Sequence, residues 1–317
     1  MPAPASAGLH RFAVLTAAAT FVLLFLGGLV TSTGSGLAVP DWPLSFGQVF
    51  PPMVGGVLFE HGHRLAASAV GTLTVVLALW TVLKEPRPGV RALGLIALIA
   101  VTLQGVLGGV TVLYKLPIGV SVTHACLAQT FFCLTVTLAV VTGRPWHDMQ
   151  PRLTAAARPP LPLLAATTTG LVFFQVFLGA LMRHMHAGLA IPDFPLAFGR
   201  LIPPLTTPYI VVHFAHRVGA LVVAVAVAWT ASRVLRRHRD EPALLRPALL
   251  ALGLLVLQIT LGALTIWSRR AVIPTTTHLV IGAALLATSL VLTLRATRLI
   301  AFRRPVAQPC GASAVLA

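Results

Sequence analysis

Long apolar blocks alternate along this chain with short segments rich in proline, glycine and basic residues. A bilayer crossing takes roughly 20 residues. Eight blocks meet that length, near 12–32, 58–83, 92–113, 119–142, 162–182, 209–232, 247–267 and 273–296. The pattern predicts an all-α integral membrane protein of eight transmembrane helices. Arg11 before the first block resembles the start of a signal peptide. The end of that block and the loop after it recur later in the chain, so the segment belongs to the fold.

Composition agrees with the pattern. Hydrophobic residues make up 57% of the chain and charged residues 9%, with a mean hydropathy of +0.90. A water-soluble fold needs a far more polar exterior. The net charge of +16 changes the picture only through its distribution. If the N-terminus lies inside, the inner segments carry 16 basic residues: Arg11, Lys84, Arg87, Arg91, Arg144, Arg152, Arg158, Arg233, Arg236, Arg237, Arg239, Arg246, Arg295, Arg298, Arg303 and Arg304. The outer segments carry 5, namely Lys115, Arg183, Arg200, Arg269 and Arg270, while Arg64 and Arg217 fall inside spans. That bias predicts two cytoplasmic termini and argues against nucleic acid as the reason for the charge. Three scattered cysteines, Cys126, Cys133 and Cys310, build neither a disulfide framework nor a zinc site. Cys126 and Cys133 read as packing residues.

Self-comparison shows a duplication. Gly36-Leu-Ala-Val-Pro-Asp-Trp-Pro-Leu-Ser-Phe-Gly47 returns as Gly188-Leu-Ala-Ile-Pro-Asp-Phe-Pro-Leu-Ala-Phe-Gly199, an offset of 152. Pro51-Pro52 keeps that offset at Pro203-Pro204, and His63-Arg64 returns at 153 as His216-Arg217. Leu103-Gln104, Gly108 and Thr123-His124 return at 154 as Leu257-Gln258, Gly262 and Thr277-His278. With four spans in each half, both halves keep one orientation, a parallel repeat about the membrane normal. The expected architecture is two pseudo-symmetric four-helix bundles, residues 1–150 and 151–317. Glycines at 105, 108, 109 and 262 suit close helix approach, although small residues are also common in any apolar helix.

Ionisable groups inside a span are costly and mark function. His63 and His124 each lie about five residues into a span running inward, roughly 8 Å below its outer end at a rise of 1.5 Å per residue. His216 and His278 repeat the arrangement. Two level imidazoles on neighbouring helices can ligate one iron from opposite porphyrin faces. The plainer alternatives are core histidines bonded to backbone carbonyls, or a proton relay. Arg64 and Arg217 can pair with haem propionates through the guanidinium fork, or snorkel to the headgroups.

The halves differ where Glu60-His-Gly-His-Arg64 meets His213-Phe-Ala-His-Arg217. Glu60 and His63 share a helix face at i, i+3. A carboxylate beside one histidine pair only suggests that one half performs chemistry and the other holds a fixed cofactor; simple solvation of Glu60 is the bland alternative. The loops after spans 1 and 5 place Asp41 and Asp193 among prolines and aromatics, as turn caps more readily than catalysts, with Trp42, Phe46, Phe194 and Phe198 covering each bundle mouth. Met182, His184, Met185 and His186 invite a copper reading, with a solvated loop favoured over it.

These residues resemble the haem A synthase family. The match is carried by Gly34-Ser-Gly-Leu-Ala-Val-Pro-Asp-Trp-Pro43, Glu60 with His63-Arg64, Leu103-Gln-Gly-Val-Leu-Gly-Gly-Val-Thr-Val112, His124, His216-Arg217 and His278, in that order across all eight spans. The resemblance implies a haem-dependent oxidoreductase of the bacterial or archaeal plasma membrane. Such an enzyme oxidises the C8 methyl of haem O to a formyl group through a hydroxylated intermediate, supplying haem A to terminal oxidases. It implies that His216 and His278 ligate a haem b, that His63 and His124 hold the substrate haem, and that Glu60 is the catalytic carboxylate. Some members carry a cysteine pair in the outer loops; residues 33–57 and 183–208 contain none, which places this chain with the cysteine-free type. The Arg183-His-Met-His186 run differs from its counterpart near Thr33. A haem O synthase, an electron-transfer partner and a second copy of the chain are conceivable partners. The competing readings are a di-haem b-type cytochrome that leaves its haems unmodified, and a transporter built on parallel repeats.

Overall fold

The computed structural model describes residues 7–154 and 157–301. Arg303, Arg304 and Cys310 lie outside the described residues. Among the described residues eight helices are long and apolar enough to cross a membrane: α1 (Ala7–Ser32), α2 (Gly56–Lys84), α3 (Pro88–Leu113), α4 (Ile118–Thr142), α5 (Leu161–His184), α6 (Pro208–Arg237), α7 (Pro242–Trp267) and α8 (Val272–Leu299). All eight expected spans are present, and the chain is a multi-pass membrane protein. Their ends reach beyond the expected blocks because polar flanks continue the backbone ladder past the apolar run.

Local chemistry explains the boundaries. Proline occupies the first helical position of α3, α6 and α7, where its missing N–H costs nothing. Thr207 caps α6 by accepting from the Ile210 amide at 3.3 Å. Inside the spans, threonine hydroxyls donate back to their own helix: Thr16 to Phe12 O at 2.9 Å, Thr74 to Val70 O at 2.8 Å, Thr168 to Leu164 O at 2.9 Å. Every polar hydrogen in lipid must find an acceptor within the protein, and this return bond supplies one.

Neighbour relations run the same way in both halves. α1 packs on α2 and α4, and α3 closes the ring against both; α5 likewise packs on α6 and α8, with α7 closing it. The halves meet through α1, α4, α5 and α8. Gly28 admits Thr276 across that junction, since a Cβ at Gly28 would come within 3.1 Å of Thr276 Cγ2. Such small-residue contacts carry helix association where lipid is as apolar as the core. At the end opposite the repeated loops, Leu153–Thr154 pairs in parallel with Ile300–Ala301, and Arg152 meets Glu241 at 2.6 Å. Gly105 differs from expectation: nothing lies within 4 Å of its Cβ position, because it faces away from the neighbouring helices.

Candidate functional site

Four helices present the four histidines, and four others present a glycine to each. A Cβ at Gly27 on α1 would lie 3.0 Å from His63 Cε1, and one at Gly108 on α3 would lie 3.3 Å from His124 Cε1. Gly179 on α5 stands 3.1 Å from His216 Cε1 by the same measure, and Gly262 on α7 stands 3.2 Å from His278 Cε1. The seats repeat with the histidines, Gly27 to Gly179 and Gly108 to Gly262. Only glycine leaves room for the Cε1 edge of an imidazole to come this close to the neighbouring helix. Because α2 begins at Gly56 and α4 at Ile118, the histidines lie somewhat deeper than the five residues expected from the blocks.

The histidines pair within each half. His63 lies within electrostatic reach of His124, and His278 within reach of His216. Nδ1 of His63 and Nδ1 of His124 are buried without a hydrogen-bond partner. A buried ring nitrogen without a partner is unfavourable unless something outside the protein satisfies the ring. Paired imidazoles on neighbouring helices, with an unpartnered buried nitrogen on each ring of the first pair, fit ligation of a haem iron. The second half adds a glutamine: Gln175 Nε2 lies 3.0 Å from His216 Nδ1 and donates to His216 O at 2.8 Å. Its counterpart by the 152 offset is Leu23. Gln104 donates to His124 O at 3.0 Å, and His278 Nδ1 lies 3.1 Å from Gln258 O.

Glu60 is 4% exposed and fully engaged. Its Oε2 accepts from the Val39 amide at 2.9 Å, and its Oε1 from Arg64 Nη2 at 2.7 Å. Arg64 Nη1 donates to Asp41 O and Leu44 O, both at 2.8 Å. Helix α2 therefore grips the first repeated loop through a carboxylate and a guanidinium one turn apart. Within that loop the Asp41 carboxylate accepts from the Phe46 and Gly47 amides at 2.7 and 2.8 Å, as a turn cap, with Phe46 and Gly47 both in the left-handed region. Those two backbone bonds hold the Asp41 carboxyl below its ordinary range. Trp42 packs flat on α3, where a Cβ at Gly109 would fall 2.5 Å from Trp42 Cδ2.

The second loop keeps the frame and changes the grip. Asp193 accepts from the Phe198 and Gly199 amides, both at 2.8 Å, and is likewise held low. Arg217 donates to Leu196 O at 2.8 Å and Asp193 O at 2.6 Å. At the Glu60 position, His213 is 2% exposed, with Nδ1 3.3 Å from the Ile191 amide and 3.1 Å from Ala187 O. A second polar pair also exists in the first half alone: Ser45 Oγ meets His61 Nδ1 at 2.8 Å, and the matching positions are Ala197 and Phe214. That pair was readable as an asymmetry in the sequence but was not singled out there.

Both arginines, Arg64 and Arg217, bond loop carbonyls. The Arg183–His186 run separates into two parts. Arg183 Nη2 donates to Gly28 O at 2.9 Å and Ser32 Oγ at 2.7 Å, tying α5 to α1, while His186, at φ 56°, heads the single 3₁₀ turn Ala187–Leu189. Thr276 on α8 donates to the same Ser32 hydroxyl at 2.8 Å. Among the described residues no three His, Cys, Asp or Glu side chains gather as a metal cage.

A family model described as "Cytochrome oxidase assembly protein" matches residues 10–55 and 55–290. The chain is 32% identical to a heme A synthase of Symbiobacterium thermophilum over 264 residues, covering 81% of this chain and 85% of the relative. It is 32% identical to a heme A synthase of Shouchella clausii over 248 residues, 72% of this chain and 79% of that protein. A heme A synthase of Halalkalibacterium halodurans is 29% identical over 276 residues, 80% and 87% of the two chains.

Proposed function

The chain belongs to the cytochrome oxidase assembly protein family, and on that premise we propose that it is an oxidoreductase converting haem O to haem A. The finer reading is oxidation of the C8 methyl to a formyl group, by hydroxylation and then a second oxidation with loss of water. The observation that carries it is Glu60: a buried carboxylate one turn from His63, replaced by His213 in a half that repeats the same histidine and glycine frame.

In this reading residues 1–150 hold the substrate haem between His63 and His124, and residues 151–317 hold a haem b between His216 and His278. The resident haem supplies one-electron redox chemistry when bound. The chain's own contribution is placement and electrostatics. Gly27 and Gly108 let the two imidazoles lie against their helices, which fixes ring orientation. Glu60 accepts at Oε2 a proton released when a C–H bond of the methyl group is broken by oxidation, giving up the Val39 amide bond that the carboxylate makes at rest. Arg64 keeps Glu60 Oε1 and the loop carbonyls in place meanwhile. The Trp42 loop keeps bulk water from the mouth of that half. The charge bias supports a plasma-membrane protein with both termini in the cytoplasm.

Co-expression with a haem O source, followed by mass analysis of the extracted haems, tests the reading. Haem A appears with the wild-type chain and not with Glu60→Ala. Recovery of unmodified haems alone from the wild type would assign the protein to the di-haem b-type electron carriers instead.

A further inference from the structure

Two arginines at the loop end of the C-terminal half have no counter-charge within the described protein. Arg183 near the end of α5 and Arg270 just beyond α7 lie close enough for their charges to act on each other, and Arg183 also acts on His278. Arg183 uses Nη2 on Gly28 O and Ser32 Oγ. The Arg270 side chain lies over Gly188, whose Cβ position is 3.5 Å from Arg270 Cδ, and its guanidinium reaches no acceptor among the described residues.

The chain has seven acidic side chains, and all of them are elsewhere. Glu60 pairs with Arg64, Glu85 with Arg87, Glu241 with Arg152, and Asp240 lies beside Arg239. Asp41 and Asp193 cap their own loops, and Asp148 ends a short helix, Arg144–Asp148, at the opposite end of the bundle. A half-buried guanidinium is stabilised by a facing anion, and no acidic side chain supplies one to either arginine. The pair is also specific to one half. The repeat places Thr31 opposite Arg183 and Leu116 opposite Arg270. Leu116 lies over Gly36, at 3.5 Å from its Cβ position, as Arg270 lies over Gly188, and both residues have positive φ, 60° and 68°. The backbone frame is the same; only the charge differs.

We propose that Arg183 and Arg270 bind the propionate carboxylates of the haem resident in the C-terminal half, which rests on the reading of His216 and His278 as its ligands. Two propionates bring the two negative charges the pair lacks, and a carboxylate matches the guanidinium fork. Arg64 and Arg217, the arginines adjacent to the histidines, direct their terminal nitrogens to loop carbonyls and, for Arg64, to Glu60, which leaves Arg217 Nε as their one buried donor without a partner among the described residues.

The test uses the full chain in detergent, stripped of haem and titrated with haem b and with its dimethyl ester, whose carboxylates are capped. The wild type should bind the free acid at least about tenfold more tightly than the ester. Arg270→Gln, which breaks no described hydrogen bond, should narrow that preference, and Arg270→Lys should restore part of it. The double variant with Arg183→Gln should bind both forms alike. The midpoint potential of haem held by Arg270→Gln should fall, because uncompensated carboxylates favour the oxidised iron. An unchanged preference in both glutamine variants overturns the proposal. So does loss of co-purifying phospholipid phosphorus with the preference intact, which would make a lipid headgroup the anion. Failure of the wild type to bind either form is a different result, since it removes the resident haem itself.

Discussion

In both halves an imidazole on the second helix faces a glycine on the first, and an imidazole on the fourth faces a glycine on the third. The surroundings then part. The first half adds Glu60, His61 and Ser45; the second substitutes His213, Phe214 and Ala197, and adds Gln175, Arg183 and Arg270. A duplicated histidine–glycine frame is kept, while a carboxylate and a Ser–His pair stand beside one histidine pair and an extra glutamine and two arginines stand in the other half. Gln175 backs His216 at 3.0 Å, whereas Nδ1 of His63 and of His124 has no protein partner. Gln104 reaches His124 Nε2 at 3.3 Å as Gln258 reaches His278 Nε2 at 3.5 Å, so the bracing differs at one ring of each pair: His216 Nδ1 has Gln175, and His63 Nδ1 has no protein partner.

The largest effect that would break this comparison concerns haem retention. On the proposed assignment of His216 and His278 as ligands of a resident haem b, His216→Ala or His278→Ala should leave less than about a tenth of the b-type absorbance in purified protein. His63→Ala and His124→Ala should keep most of it. Equal loss from all four variants would mean that the halves hold their haems alike.

Turnover comes next. Glu60→Gln preserves shape and can still accept from the Val39 amide, but it cannot take up a proton. It should lower kcat by about 10²–10⁴-fold, the usual worth of a positioned acid or base, with resident haem absorbance unchanged. His213→Gln touches the equivalent loop grip in the other half and should reduce kcat far less. Comparable losses would show that the grip on the loops, and not the carboxylate, is what turnover needs.

The glycine seats sharpen the comparison further. A methyl group at Gly179 would meet His216 Cε1 at 3.1 Å, tighter than side chains normally tolerate, so the ring must shift by a few tenths of an ångström. Gly179→Ala should weaken resident haem binding by about tenfold, in the range seen for groups that orient a ligand. Gly27→Ala should leave that haem spectrum intact and raise KM for haem O. Optical titration and initial rates read the two outcomes separately.

Much of this was legible in the sequence because duplication writes the same constraint twice. The four histidines, the Glu60–His213 difference and the Asp41 and Asp193 caps follow from offsets and local turn chemistry. The glycine seats were only half visible. Gly108 and Gly262 stood out as a repeated pair, but nothing along the chain says that a glycine on one helix meets a ring on the next, which depends on how each helix is rotated. Gly105 shows the same blindness in reverse: by sequence it resembles its neighbours, yet it faces open space. Arg64 was legible as a buried cation beside a histidine, but not as a clamp on carbonyls about twenty residues upstream, because those oxygens converge only once the loop has folded around Asp41. Arg183 read as a loop cation because the apolar block ends at Met182, while the helix runs on to His184 and carries the guanidinium against α1.

The smallest expected effect lies where the halves are most alike, in the loops. Asp41 and Asp193 are held below the ordinary value of 3.8, each by backbone hydrogen bonds from a glycine amide first, Gly47 or Gly199, and then from Phe46 or Phe198. Folding depresses both values, so the ionised carboxylates stabilise their loops fully above the unfolded pKa, and the contribution fades as pH falls through the lower folded value. Hydrogen exchange at the Phe46, Gly47, Phe198 and Gly199 amides should be flat from neutral pH down to about 4, after correction for intrinsic rates, and should quicken below that. Asp41→Asn and Asp193→Asn should each expose one of the two amides at every pH, because an amide oxygen accepts where the amide nitrogen cannot. The loops should respond in parallel, since Arg64 and Arg217 bind equivalent carbonyls regardless of what occupies position 60 or 213. A first loop that loosens at higher pH than the second would mean that the Asp caps do not act alone, and that the differing grips on the Val39 and Ile191 amides at positions 60 and 213 also set loop stability.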